Sequence, residues 1–162
     1  MIITLISGWY LYNLTKYFFH RIGHYPHKYN YIYKLHRQHH IVYPNTDLLS
    51  DVYRGRGEGV IAFIPPTLIL FYVLYLLVSP TTFKILTAEL VCLTLVSDFI
   101  HTQIHLKKSP LERYAWFNES RRLHLIHHQK FSKNFSFAGL SHRLDKMFST
   151  YEKRTIDKKD DD

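Results

Sequence analysis

The sequence predicts an all-α protein: integral membrane helices with a cytosolic helical lobe that carries a histidine-rich site. Three observations predict it. The apolar residues are gathered into long runs, although the mean hydropathy of the whole chain is only −0.18. The positive charge lies almost entirely outside those runs. Ten of the 12 histidines stand at i, i+3 and i+4 spacings, the period of one helix face.

The first run, 2–19, reads IITLISGWYLYNLTKYFF and holds one charge, Lys16. A cleaved leader places its positive charge first and ends in small residues. Here the charge comes last and aromatics follow, so an uncleaved membrane helix is expected. At ~1.5 Å per residue it is barely long enough for ~30 Å of hydrocarbon. The second run, 60–79, has no charge. Pro65-Pro66 falls near its start, where a proline pair costs least or kinks the helix. Pro80-Thr81-Thr82 marks a turn. The third run, 85–100, is interrupted by Glu89 and Asp98 and completes a membrane hairpin. Glu89 is expected to face the protein interior, and Cys92 to be a small buried apolar residue. Pro26 and Pro44 are expected to end the helices of the first two histidine clusters. One domain, 1–151, is followed by a charged tail, 152–162, expected to be solvated and frayed.

Lys and Arg number 21 against 13 Asp and Glu, for a net charge of +8 with His neutral. Lys16 sits near the basic end of the first run and Lys84 at the hairpin tip; the other 19 cations fall in 20–59 and 101–162. The positive-inside rule makes both segments cytosolic, at the endoplasmic reticulum if the cell is eukaryotic. Topology and anionic headgroups account for the surplus, so no nucleic acid partner is expected. Charged residues at 21% and apolar residues at 46% exclude a disordered chain. The single cysteine excludes a disulfide framework and a Cys-based zinc module.

The histidines form four boxes. His20 and His24 make HxxxH; His36, His39 and His40 make HxxHH; His101 and His105 make HxxxH; His124, His127 and His128 make HxxHH. His27 and His142 stand outside, with His142 expected at the surface. On a helix, HxxxH aims two imidazoles at one point. HxxHH adds a third, and its adjacent pair can reach two neighbouring metals. At this histidine frequency HxxHH arises by chance about 0.06 times, so two copies point to a built site. Ten imidazoles exceed one ion and suit two, at about five ligands each. Imidazole ligands fit Fe, Zn, Cu or Ni. Binding needs neutral His, so occupancy should fall below about pH 6.5. A metal-handling transport protein is the competing class, but it would carry His inside its apolar runs, and these lack it.

Over roughly 11–151 the chain resembles the fatty acid hydroxylase superfamily, which includes sterol desaturases and sterol methyl oxidases. FFHRIGH follows the first apolar run; KLHRQHHIVYPN looks like the family's second box; DFIHTQIH follows the hairpin; RLHLIHH leads into a closing signature. That signature is an Asn-aromatic pair, here Asn134-Phe135, and then a stretch here running from Leu144 through Asp145 to Thr150. Ser136, Leu144 and Ser149 stand where the family commonly has Gly, Trp and Gly. The resemblance implies an integral-membrane, non-haem di-iron enzyme in which the ten box histidines hold two Fe ions. Zn is the substitute expected in purified protein. It also implies O2 and electrons from a cytochrome b5- or NAD(P)H-reductase-type donor. The substrate would be a lipid, sterol or fatty acyl, that is hydroxylated or desaturated. A degenerate member that binds metals without oxygenase activity is the alternative. Asp98, Glu58, Asn134 and Asp145 are the expected acceptors for the imidazole nitrogens left free; Asp98 reads equally as a polar residue at the membrane boundary. Arg121 and Arg122 are expected on a solvated helix face, with docking of an acidic electron donor as the alternative role.

Overall fold

A computed structural model describes residues 2–55, 58–136 and 142–153, and only the backbone of 58–60. The Glu58 side chain and tail residues 154–162 lie outside the described residues. Among the described residues the chain is all-helical: α1 (Ile2–Gly23), α2 (Tyr31–Val42), α3 (Glu58–Leu77), α4 (Pro80–Ile104), α5 (Ala115–Gln129) and α6 (Arg143–Met147), with a short 3-10 turn at Pro110–Arg113. Among the described residues the extended pairing is a lone parallel bridge between Ser50 and Leu106.

Local chemistry explains the boundaries. α1 ends at Gly23, three residues before Pro26. A Cβ at Gly23 would sit 3.3 Å from the His36 ring, so glycine lets α2 close on the end of α1. Asn30 caps α2 by accepting from the Tyr33 N–H at 3.1 Å, and Pro44 lies just past its end. Ser79 caps α4 through the Thr82 N–H, with Pro80 in the first turn. Ser109 and Glu112 form a reciprocal capping box ahead of α5.

α1 packs along α4, and α2 against α3 and α1. Gly8 opens a gap on α1 that the Glu89 carboxylate fills. One hydrophobic cluster packs Ile100, Ile104 and Phe117, with Leu111 against it; Ile32, Leu86, Leu90, Leu123 and Ile126 are also buried. Much of the remaining interior is imidazole. His39, His105, His124, His127 and His128 are among the largest fully buried side chains.

Several expectations are corrected. The three apolar runs fold as helices, but among the described residues no helix is long and apolar enough to cross a membrane. Lys16 and Asn13 interrupt α1, and Lys84, Glu89 and Asp98 interrupt α4. Pro65-Pro66 lies in the interior of α3, because the helix begins at Glu58. Cys92 is exposed. Arg121 and Arg122 do not form a solvated face. Arg121 donates to the carbonyls of Gln103 (3.1 Å) and Leu106 (3.0 Å), closing the end of α4. Arg122 pairs with Glu119 at 2.8 Å. His142 is half-buried at the start of α6.

Candidate metal centre

The last turn of α1 carries His20, with His24 just beyond it; α2 carries His36, His39 and His40. α4 carries His101 and ends on His105; α5 carries His124, His127 and His128. These four helix segments converge, and the ten rings meet in one interior. The ring nitrogens of His20, His24, His36 and His127 lie within 4.8 Å of one another. So do those of His39, His105, His124 and His128. His40 Nε2 is 3.1 Å from His36 Nε2 and joins the first set; His101 Nε2 is 3.1 Å from His39 Nε2 and joins the second. His27 belongs to neither set.

The division follows helix geometry. Every i, i+4 pair serves one set: His20 with His24 and His36 with His40 on one side, His101 with His105 and His124 with His128 on the other. The i+3 member of each HxxHH box crosses over, so His127 completes the first set and His39 the second. Residues at i and i+4 are rotated by about 40° and point together, whereas i+3 lags by about 60° on the other side of i. That offset separates the two targets.

The tautomers are fixed from outside. His20 Nδ1–H donates to the Phe135 carbonyl at 2.7 Å and His127 Nδ1–H to the Lys133 carbonyl at 2.6 Å. His105 Nδ1–H donates to the Leu48 carbonyl at 2.9 Å and His128 Nδ1–H to the Tyr43 carbonyl at 2.9 Å. A carbonyl only accepts, so the proton is on Nδ1 and the Nε2 lone pair faces inward. Each set has two histidines locked in this way.

The spacing fits a cation between the rings. Neighbouring Nε2 atoms stand 2.8 Å apart for His24 and His36 and for His105 and His124, and 3.1 Å for His124 and His128. With metal–imidazole bonds of ~2.0–2.1 Å, adjacent ligand nitrogens stand about 3 Å apart and opposite ones about 4.2 Å. Electrostatics agree. Burial first, and neighbouring His127, hold His36 down to about 3. Burial holds His105 and His127 down to about 4, against the pull of their carbonyl partners. His24 and His40 are pushed below the ordinary imidazole range by burial and by the surrounding rings. All are therefore neutral at pH 7, the form that binds metal.

For His20, His105, His127 and His128 the acceptor is a backbone carbonyl, not one of the expected side chains. Asp145 instead holds the loop that supplies one of those carbonyls. Its carboxylate accepts from the N–H groups of Phe135 and Ser136 and from the Thr150 hydroxyl, each at 2.8 Å. Tyr17, fully buried in α1, reaches the same Thr150 hydroxyl at 3.1 Å. Asn134 donates to the carbonyls of Leu123 and Glu152 and accepts from the Glu152 N–H, pinning the chain after α6 to α5. Asp98 lines a cavity and interacts electrostatically with Lys16. Sequence reasoning missed Tyr43, which stacks on His105 with centroids 3.9 Å apart while its carbonyl holds His128. Its place directly after the second box was the available signal. The carbonyls of Leu48 and Lys133 carry no residue-type signal.

A cavity of about 120 Å³ runs between α1, α3 and α4 to the centre. Phe19, Phe63, Leu70 and Leu90 give it apolar walls. It ends on His20 and His36 of the first set and His39 and His101 of the second. Rings of four histidines drawn from both sets thus face one apolar space.

The family model described as fatty acid hydroxylase matches residues 5–150. No curated protein and no solved structure matches the chain.

Proposed function

The chain belongs to the fatty acid hydroxylase family, and on that premise we propose that it is a membrane-embedded, non-haem di-iron oxygenase that hydroxylates or desaturates a lipid. It takes O2 and electrons from an external donor protein of cytochrome b5 or NAD(P)H-reductase type. The observation that carries this reading is the apolar cavity that ends on histidines of both five-imidazole sets. Iron held by the ten histidines supplies the redox chemistry that functionalises an unactivated C–H bond.

The chain's own residues prepare that chemistry. The carbonyls of Phe135, Lys133, Leu48 and Tyr43 keep protons on Nδ1 and leave Nε2 available. Phe19, Phe63, Leu70 and Leu90 exclude water and hold one stretch of hydrocarbon against the centre. Large apolar side chains cover the outside of the same helices: Ile3 and Ile6 on α1, Leu68, Ile69 and Leu76 on α3, Leu95 and Phe99 on α4 are all exposed. An apolar surface of this extent suits lipid rather than water. The bilayer surrounds these helices, and the histidine lobe sits on its cytosolic face, at the endoplasmic reticulum in a eukaryotic cell. Lipid then enters the cavity laterally.

The test is metal content per chain in detergent-purified protein, beside a variant with His39, His40, His127 and His128 changed to Ala. Two iron ions per chain, lost in the variant, are expected. Folded protein without stoichiometric metal would overturn the reading. Lipid analysis of expressing cells then separates an oxygenase from a metal-binding relative without activity.

A further inference from the structure

A second opening meets the centre from another side. Between the end of α1 and the segment after α5 lies a surface groove of about 530 Å³, the size of an ordinary small-molecule site. Phe18, Ile22 and Phe135 line it, with the exposed Arg21 beside them. The metal-centre histidine that it meets is His24. It is distinct from the apolar cavity, which ends on His20, His36, His39 and His101.

The two sets are not equally closed. In the first, His20, His36 and His127 are buried, but His24 and His40 are half-buried. In the second, four rings are buried and the half-buried His101 faces the apolar cavity. One side chain covers both half-buried rings of the first set. Phe131 stacks on His24 with centroids 5.7 Å apart, and meets His40 edge-on at 4.7 Å. Phe131 is itself 50% exposed and stands in the turn after α5, so its ring can swing aside without moving a helix.

The rings are also held unequally. Main-chain carbonyls lock Nδ1 of His20 and His127. Among the described residues no carbonyl does so for His24 or His40. An orienting partner of this kind is worth about 10–100-fold in metal affinity. His24 is therefore both weakly held and next to the groove, just past the last turn of α1. Arg21 gives the groove its charge. No ion pair joins it among the described residues. A guanidinium repels a bare divalent cation and attracts a carboxylate.

We propose that the groove is a metal-exchange port. The ion of the first set enters and leaves under the Phe131 ring by way of His24, handed over by a small polycarboxylate chelator that Arg21 holds. The ion of the second set exchanges more slowly, because its rings are closed off from this groove. This rests on the reading that each set holds one ion.

The experiment follows metal content per chain over time, in the purified full chain loaded with iron. One sample is held in a prolonged excess of EDTA, an anionic polycarboxylate, and another in 2,2′-bipyridine, a neutral chelator. One ion should leave about tenfold faster than the other in EDTA. His24 and His40 should become reactive to diethyl pyrocarbonate as that ion leaves, and not before. Phe131→Ala should speed the fast loss at least threefold and leave the slow one unchanged; Phe131→Trp should slow it. Arg21→Gln should slow the fast loss about threefold in EDTA, the worth of one exposed charge contact, and leave the rate in bipyridine unchanged. Loss of both ions at one rate would overturn the port. So would a fast rate indifferent to both Phe131 variants, equal acceleration of both losses, or an Arg21→Gln rate in EDTA like the parent's. If Phe131→Ala does not fold, Phe131→Trp and Arg21→Gln decide. Fewer than two ions at the start overturns the two-ion reading, and the port with it; two ions lost together overturn the port alone.

Discussion

His20 Nδ1–H donates to the carbonyl of Phe135 at 2.7 Å, across 115 residues of chain. The same Phe135 gives its N–H to Asp145. The peptide unit that owns this carbonyl gives its own N–H, that of Ser136, to the other carboxylate oxygen of Asp145, so Asp145 reaches the first set of imidazoles through a single peptide unit.

Asp145→Ala removes three hydrogen bonds to a buried carboxylate and leaves two backbone N–H groups without a partner. A stability loss of about 3 kcal/mol or more is expected. Metal should fall selectively, because His20 serves only the first set. Metal analysis after mild chelation should find about one ion where the parent protein keeps two; equal retention would show that the loop does not govern His20.

The crossing histidines give a sharper test. His127→Ala should weaken the first set and His39→Ala the second, each removing one ligand while the other set keeps all its own. Both should abolish lipid oxidation if both ions are needed. Spectroscopy of the loaded variants should report loss at different sites, and identical spectra would contradict the crossover.

Ser149 has φ 56°, in the left-handed region where a side chain costs about 1–2 kcal/mol and glycine does not. It is exposed. Ser149→Gly should raise stability by about 1 kcal/mol in urea unfolding, with metal content unchanged. Asn134 also has a positive φ, 55°, but Asn134→Gly should destabilise, because its side chain makes three hydrogen bonds between α5 and the chain after α6.

Acid should unfold the metal-free lobe. The folded protein holds His36 near 3 and His105 and His127 near 4, whereas an unfolded imidazole titrates near ~6.5. Between these values the unfolded chain binds more protons, so stability rises with pH. The contribution is complete above about pH 6.5 and is lost as pH falls through about 4. Urea midpoints of chelated protein at several pH values check this; a midpoint independent of pH in that window would contradict neutral, buried rings.

The box spacing in the sequence carried the four helix segments and the pairing of i with i+4, since both follow from one helical period. Pro26, Pro44 and Ser79-Pro80 marked helix limits through local stereochemistry. What the residues could not disclose is tertiary. The acceptors for His20, His105, His127 and His128 are main-chain carbonyls, which every residue owns, so no side-chain identity in the sequence pointed to them. Arg121 read as a solvated cation because nothing local shows that it covers the end of α4. Cys92 read as buried from its type alone, but its helix turns that face outward.

The crossover also has a consequence for biosynthesis. The first set draws on α1, α2 and α5; the second draws on α2, α4 and α5. Neither set is complete until α5 has been made. Before α5 is made, the first set has His20, His24, His36 and His40 and lacks His127, whereas the second has His39, His101 and His105 and lacks His124 and His128. Completion of both sites thereby waits on α5, and the order of the helices sets the order in which the two sets are finished.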